Sequence, residues 1–435
     1  MSTVKCLPAI VKRAKDAARA VGRTANQIIR PVKEWTLTHL LGLPHFRVWG
    51  YALERDPEQD ILHLHCELQV GMAVCPLCKT VTTAIKQHKA RCVRDIDVWG
   101  MRTFIHFKIR RFECEECGHR FTEELSAVAW RRHQTIRFEQ EVYRRCLDTD
   151  KKAVASALHL GYSTVDGIFK RYAKRQQRQL TFGHVRVLGM DEIALKKRHK
   201  QYVLVLSDLE RRCVLAVLPT REKAELERWW NTLTSDQQAA IRVVSMDMWR
   251  PYRSFVEQHL PQARIVADRF HVMKQLNEQL TKARRKIQRE ADPETQAALK
   301  GSRWLLVRSR AQLSDEQEQQ LQQVLAAHHD LRVAYLLKEE FRLIFERIQD
   351  QEQARRFLNA WICKVRYTRN RYLLDFVKTL HNWFDEILNY FDERISNGFV
   401  EGMNRAIRTV ISRAYGFRNF DNFKLQILAQ YGPDG

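Results

Sequence analysis

The spacing of apolar positions changes character along the chain. Residues 103–110, Thr-Phe-Ile-His-Phe-Lys-Ile-Arg, alternate between apolar and polar and predict a half-buried strand. From Phe138 the period becomes helical, first over Phe138-Glu-Gln-Glu-Val-Tyr-Arg-Arg-Cys-Leu and then over two helices between Lys151 and Tyr172. The middle helix is short and rich in small residues. Gly161 after it suits a turn with positive φ, and Ser163-x-x-Asp166 has the form of a capping box opening the next helix. This is a helix-turn-helix pattern, expected to occupy 126–180. Lys170, Arg171, Lys174 and Arg175 on its last helix suit the phosphates and major groove of double-stranded DNA. An ordinary helical hairpin with a solvated basic face is the alternative.

Beyond residue 184 strands and helices intersperse. His184 to Ile193, Gln201 to Ser207 and Arg212 to Leu218 predict a three-stranded meander. A helix from Arg221 to about Leu233 buries Leu226, Trp229, Trp230 and Leu233, and strand Ile241 to Asp247 follows it. Pro251 opens another helix, where its missing N–H costs nothing, and Ala263 to Asp268 is a fifth strand. The order β-β-β-α-β-α-β is the layout of an RNase H-like fold.

Two cysteine knuckles, Cys75-Pro-Leu-Cys78 and Cys114-Glu-Glu-Cys117, flank the first β-rich stretch. Paired C-x-x-C turns can each supply half of a tetrahedral Zn²⁺ site, so a structural zinc ribbon is expected over 39–125. His119 replacing one thiolate is a minor alternative.

Charge narrows the class of partner. The 435 residues carry 74 Lys+Arg against 51 Asp+Glu, a net +23, which selects polyanions. With 45% hydrophobic residues the chain has material for packed cores, which excludes a wholly disordered basic protein. No apolar run approaches the roughly 18 residues of a bilayer span, and charges interrupt the N-terminus too often for a signal peptide. A soluble, intracellular, cytoplasmic chain with no membrane partner is therefore expected. Residues 1–38 form a basic N-terminal arm, read equally as a solvated helix and as a phosphate-contacting segment.

Aspartates close several of the strands. A carboxylate at the open edge of a buried sheet must be paired or must hold a cation, and converging oxygen ligands suit Mg²⁺ or Mn²⁺. Asp191 alone reads as readily as a cap or surface turn, but Asp247 repeats the pattern from a neighbouring strand. Asp268 also ends a strand, and composition does not rank it against Asp247. Far along the chain, Ser396-Asn-Gly-Phe-Val-Glu401-Gly-Met-Asn404-Arg405-Ala-Ile-Arg408 predicts a helix with Glu401, Asn404, Arg405 and Arg408 on one face. On spacing alone, an intrahelical salt bridge from Glu401 is favoured over a metal ligand.

Taken in order, the paired knuckles, the helix-turn-helix, Gly189-Met-Asp191-Glu-Ile, Ser245-Met-Asp247-Met-Trp, Ala267-Asp268-Arg-Phe-His271 and Asn397-Gly-x-x-Glu401-Gly-x-Asn404 resemble the ISL-three family of bacterial insertion-sequence transposases over roughly residues 40–430. The resemblance implies a DDE transposase. Asp191, Asp247 and Glu401 would be its catalytic triad and hold catalytic Mg²⁺ for two-metal-ion chemistry, with Asp268 and His271 as accessory residues. It also implies cleavage at terminal inverted repeats, joining of the 3′-OH ends to target DNA, and action as a homodimer.

Asp247 and Glu401 are 154 positions apart, more than a bare RNase H-like core needs. The expected architecture is thus multidomain α+β, with the core split into 181–272 and 395–435 by a helical insertion at 273–394. Arg284, Arg285 and Lys286 in the insertion, with Arg405 and Arg408 after Glu401, are further candidates for DNA binding, while Trp304, Trp361 and Trp383 read as core anchors. Two other functions share these features. A DNA-binding regulator with a silent RNase H-like domain would bind without cutting, and a structure-specific nuclease would cut without joining.

Overall fold

A computed structural model describes residues 30–31, 34–179, 182–196, 201–395, 398–414, 417 and 419–433. Nearly all of the expected basic arm, with Ser396, Asn397 and Arg418, lies outside the described residues. The chain divides into two compact units, residues 1–172 and 173–435.

The first unit is built on a six-stranded sheet. Strands β1 (Arg30–Pro31), β2 (Phe46–Glu54), β3 (Ile61–Leu68), β7 (Met101–Glu113) and β6 (Ile85–Val98) lie in that order, and β8 (Arg120–Thr122) pairs with β7. Helix α1 (Glu34–Leu41) precedes β2, and a separate hairpin of β4 (Ala73–Val74) and β5 (Val81–Thr82) carries one cysteine knuckle. Period-2 alternation assigns Leu62, Leu64, Cys66, Ile105, Phe107 and Ile109 to the apolar core on one face. His63, His65 and His106 occupy alternate positions in the same strands and are also buried. The segment expected as a ribbon strand is therefore part of a 13-residue strand in a larger sheet.

Three helices follow: α2 (Ile136–Asp148), α3 (Lys151–Ala157) and α4 (Tyr162–Gln179). Thr135 caps α2, and Asp150 caps α3 by accepting from the amides of Lys152 and Ala153. Between α3 and α4 the left-handed residue is His159 (φ 49°) rather than Gly161. His159 N–H donates to Ser156 O and Leu160 N–H to Ala155 O, the paired bonds of a Schellman ending. Helix α4 begins at Tyr162, so Ser163 lies inside it. Asp166 binds Lys151 Nζ and Lys170 Nζ, each at 2.7 Å, and takes no part in a box.

In the second unit β9 (Val187–Lys196), β10 (Gln201–Asp208) and β11 (Cys213–Leu218) form the meander. Helices α5 (Lys223–Trp230) and α6 (Ser235–Ala240) lead to β12 (Val243–Met246), and α7 (Arg250–His259), with Pro251 in its first turn, leads to β13 (Arg264–Ala267). The sheet order is β11-β10-β9-β12-β13, antiparallel through the meander and parallel from β9 to β13.

Eight α-helices then run from α8 (Arg269–Glu290) through α9 (Pro293–Leu299), α10 (Arg303–Val307), α11 (Asp315–Ala326), α12 (His329–Arg347), α13 (Gln351–Tyr367) and α14 (Leu374–Asn382) to α15 (Phe384–Glu393). Their apolar faces merge with one face of the sheet into a single core. Helices α16 (Gly398–Arg413) and α17 (Phe420–Tyr431) cover the other face, packing Met403, Ile407, Val410, Phe423 and Ile427 on Ile193, Val203, Val205 and Val217. Trp361 and Trp383 are core residues, whereas Trp304 is largely exposed beneath the Arg303 guanidinium. No described helix is long and apolar enough to cross a membrane.

Candidate active site and thiol cluster

The carboxylate site forms where parallel pairing stops. Met246 of β12 pairs with Met190 of β9, which places the next residues, Asp247 and Asp191, side by side. Asp191 does not end its strand, since β9 continues to Lys196 against β10. Strand alternation turns Asp191 toward α16 while Met190 and Ile193 enter opposite cores.

Donor atoms of Asp191, Asp247 and His271 all lie within 4.8 Å of one another. Asp191 is held at both oxygens: the Glu192 backbone N–H donates to Oδ1 at 2.7 Å, and the Asn404 amide donates to Oδ2. Each oxygen keeps a lone pair for a cation. His271 Nδ1 lies 2.5 Å from Asp247 Oδ1 and 3.0 Å from Asp268 Oδ2. Asp268 is also the N-cap of α8, accepting from Phe270 N–H, so capping and contact with the histidine coexist at one residue.

Burial, reinforced by the neighbouring charge of Asp247, pushes the Asp191 carboxyl up to about 6, and the Asn404 hydrogen bond opposes the shift. For His271, burial works to lower the imidazole. Hydrogen bonds and charges from Asp247 and Asp268 outweigh it and push the group up to about 10. Asp191 and Asp247 thus offer carboxylate oxygens, the donor type a hard divalent ion takes, while His271 pairs with Asp247 and Asp268 beside them.

Glu401 stands apart. It lies in the first turn of α16, its side chain 59% exposed, paired with Arg405 at 3.3 Å, which is the salt bridge that spacing alone favours. The α16 residue that reaches Asp191 is Asn404, three positions later on the same face. The sequence places Asn404 in the motif, but its partner is 213 residues away and no local spacing reveals it. Glu192 is a second such residue: alternation sends it to the opposite face, where it accepts from Tyr252 Oη at 3.1 Å and pairs with Arg221 at 3.2 Å.

The four knuckle thiols also converge within 4.8 Å. In each knuckle an N–H closes back on the first cysteine's carbonyl, Lys79 on Cys75 and Gly118 on Cys114, with Lys79 and Gly118 at positive φ. Sγ separations are 3.7 Å for Cys75 to Cys117 and 3.4 Å for Cys78 to Cys114. A tetrahedron of Zn–S bonds near 2.3 Å has edges of about 3.8 Å, so the donor set fits zinc. Hydrogen bonds with Thr80 bring the Cys78 thiol down to about 6. At Cys117 a backbone hydrogen bond from His119 is outweighed by burial and the neighbouring thiols, which push it up to about 12, so the crowded thiols share protons that a metal would displace. His119 stacks on Phe121 at 6.1 Å and is not one of this group.

The candidate DNA contacts divide. Arg171 pairs with the buried Glu139 at 2.6 Å, and Lys170 pairs with Asp166. Arg284 is buried, donating to Leu299 O and Gln288 Oε1. Lys174, Arg175, Arg285, Arg405 and Arg408 are exposed and Lys286 is half-buried.

The ISL3 DDE model, described as a transposase, matches residues 188–427. The helix-turn-helix domain of transposase family ISL3 matches 123–173, and the zinc-finger of transposase IS204/IS1001/IS1096/IS1165 matches 72–117. The chain is 28% identical over 390 residues to the transposase for insertion sequence element IS1001 of Bordetella parapertussis, covering 88% of this chain and 95% of that one. It is 27% identical over 354 residues to the transposase for insertion sequence element IS1557 of Mycobacterium tuberculosis, covering 75% and 78%. With one family's zinc-finger, helix-turn-helix and catalytic models matched in succession, the chain belongs to the ISL3 family of insertion-sequence transposases.

Proposed function

We propose that this transposase binds the terminal inverted repeats of its insertion sequence, cleaves DNA at the element ends and joins the 3′-OH ends to target DNA. The observation that carries the reading is the convergence of Asp191 and Asp247 beside His271 at the end of the parallel strand pair, with α16 delivering Asn404 to Asp191. The sheet order supports an RNase H-like core, and helices α8 to α15 fill the place of a helical insertion ahead of Glu401.

Asp191, Asp247 and Glu401 would hold Mg²⁺ or Mn²⁺, which when bound activates the attacking oxygen and stabilises the leaving one. Asn404 and the Glu192 amide fix the rotation of Asp191. His271, anchored by Asp268, orients Asp247 and offsets its charge. Glu401 sits one helical turn from Asn404, and its exposed i,i+4 pair with Arg405 is worth only a few tenths of a kcal/mol. Releasing Glu401 from that pair therefore costs little.

The thiol cluster would hold a structural Zn²⁺, and Lys174 and Arg175 would contact DNA phosphates. Two ends must be processed together, which requires at least a homodimer. The test is a gel assay with Mg²⁺, a donor carrying the inverted repeats and a plasmid target. Joined products support the proposal; binding alone marks a regulator, and cleavage alone a nuclease. Asp191→Ala and Glu401→Ala should each abolish cleavage and retain end binding, and strand transfer surviving in either variant would remove that residue from the triad.

A further inference from the structure

We propose that Phe270 is a stacking platform for a DNA base unstacked beside the scissile phosphate. The inference rests on the DNA-cleaving reading of the carboxylate site and adds a positioning residue to it. Two aromatic residues each follow a site aspartate by two positions, Trp249 after Asp247 and Phe270 after Asp268, and the fold treats them oppositely. Trp249, two residues after Asp247, is half-buried: it meets Tyr252 edge-on at 4.5 Å, and the Arg221 guanidinium lies over its ring at 4.9 Å. Phe270 is 51% exposed, and its described ring contact is an edge-on one with His271 at 5.3 Å and 87°.

Exposure by itself is ordinary for a single apolar side chain. Location is what separates Phe270 from the other exposed apolar residues. Its ring adjoins the imidazole whose Nδ1 touches Asp247 and lies within 4.8 Å of an Asp191 oxygen. Its backbone is fixed, because Phe270 N–H donates to the capping Asp268 carboxylate at 2.6 Å in the first turn of α8. The neighbouring Arg269 does not cover it, since that guanidinium lies over Phe345 and pairs with Glu346. A DNA strand whose phosphate reached the carboxylates would lie close to this ring.

In a duplex the bases are stacked inside, which restricts how the backbone can turn into a carboxylate cleft. Unstacking one base releases the backbone, and a fixed aromatic face replaces part of the lost stacking without regard to sequence. Phe270 supplies such a face at nucleotide distance from the cut.

The test uses the full chain and duplexes carrying the element end, with 2-aminopurine placed in turn at each of the two nucleotides on either side of the cut, and Ca²⁺ replacing Mg²⁺ to hold the DNA uncut. Emission should rise on binding at one position, with the rise lost in Phe270→Ala and kept in Phe270→Tyr. With Mg²⁺, Phe270→Ala should slow cleavage roughly 5- to 150-fold, the value of one base–aromatic stack. On DNA made abasic at that position, wild type and Phe270→Ala should cleave at the same rate, because the partner of the ring is gone. A defect that persists unchanged on abasic DNA at all four positions, or an emission pattern that ignores Phe270, overturns the proposal. If wild type cleaves no substrate, the cleavage reading fails, and the emission pattern still decides the stacking.

Discussion

Arg171 offers the sharpest test of which cations serve DNA and which serve the fold. Its position on α4 suggests a phosphate contact, yet Nη2 lies 2.6 Å from Glu139 Oε1, and Nη1 donates to Gly167 O at 3.3 Å. The Glu139 side chain is 4% exposed and that of Arg171 35%. Removing one partner of a fully buried pair costs about 3–5 kcal/mol. Water reaching the cleft that Arg171 leaves would relieve part of that penalty, so about 2 kcal/mol is expected for Arg171→Ala, near the value of one charge-assisted hydrogen bond. That loss corresponds to roughly 30-fold faster local opening, read as hydrogen exchange of the α2 and α4 amides. The salt dependence of DNA binding should not change. Lys174→Ala is the converse: unaltered exchange, and a log–log salt slope shallower by about 1, the share of one phosphate contact. If Arg171→Ala flattens the slope by that amount and leaves exchange untouched, the brace assignment is wrong.

Three other perturbations follow from the geometry. Cys78→Ser should reduce bound zinc from about one ion per chain to none and expose the knuckle amides to exchange, measured by elemental analysis and mass spectrometry; full retention of zinc would show that Cys78 is not a ligand. Burial, aided by the charge of His63, lowers the His65 imidazole to about 4, so the folded state excludes a proton that the unfolded chain binds below about 6.5. Its contribution is therefore complete above pH 6.5 and is lost as pH falls toward 4, up to about 3 kcal/mol, and His65→Gln should flatten the pH dependence of exchange in β3 and β7. At Gly189, two residues before Asp191, an added Cβ would lie 2.6 Å from Leu209 Cδ2 and 3.0 Å from Cγ. Gly189→Ala should cost about 1 kcal/mol in thermal denaturation, with recovery in the Gly189→Ala/Leu209→Ala double variant.

What the sequence makes legible is local. C-x-x-C spacing brings thiols together through short turns, and the β9 to β13 strands show as apolar runs ending near aspartates because the sheet is covered on both faces. What it hides is pairing across the chain. Arg171 and Arg284 look like their exposed neighbours until Glu139, 32 residues away, and the Leu299 carbonyl, 15 away, claim them. The turn before α4 is hidden for a different reason. Gly161 is the residue best suited to positive φ, but the Schellman ending of α3 falls two residues earlier and imposes that conformation on His159. Asp191 shows a third limit. A terminal carboxylate is the natural reading of an apolar run, whereas it is the parallel partner β12 that ends there while β9 continues.

That placement carries an energetic cost, and the cost points to use. Moving the Asp191 carboxyl from 3.8 to about 6 corresponds to roughly 3 kcal/mol acting against its ionised form, at a residue only 8% exposed. The folded state holds that proton up to about pH 6 while the unfolded chain releases it near 4, so without a cation the group subtracts from stability as pH rises through that interval. Two neutral hydrogen bonds, from Glu192 N–H and Asn404, orient the group without removing the penalty. The protein has 74 Lys and Arg residues, yet the described side chains in contact with the Asp191 carboxylate include no arginine or lysine; the nearby cation is His271, which is engaged with Asp247 and Asp268. A fold shaped for stability alone would have set one of its many arginines there, as it does for Glu139 and Glu123. Leaving an oriented, buried carboxylate without a lysine or arginine of its own, beside an imidazole already engaged by Asp247 and Asp268, keeps a place for a cation that arrives from solution.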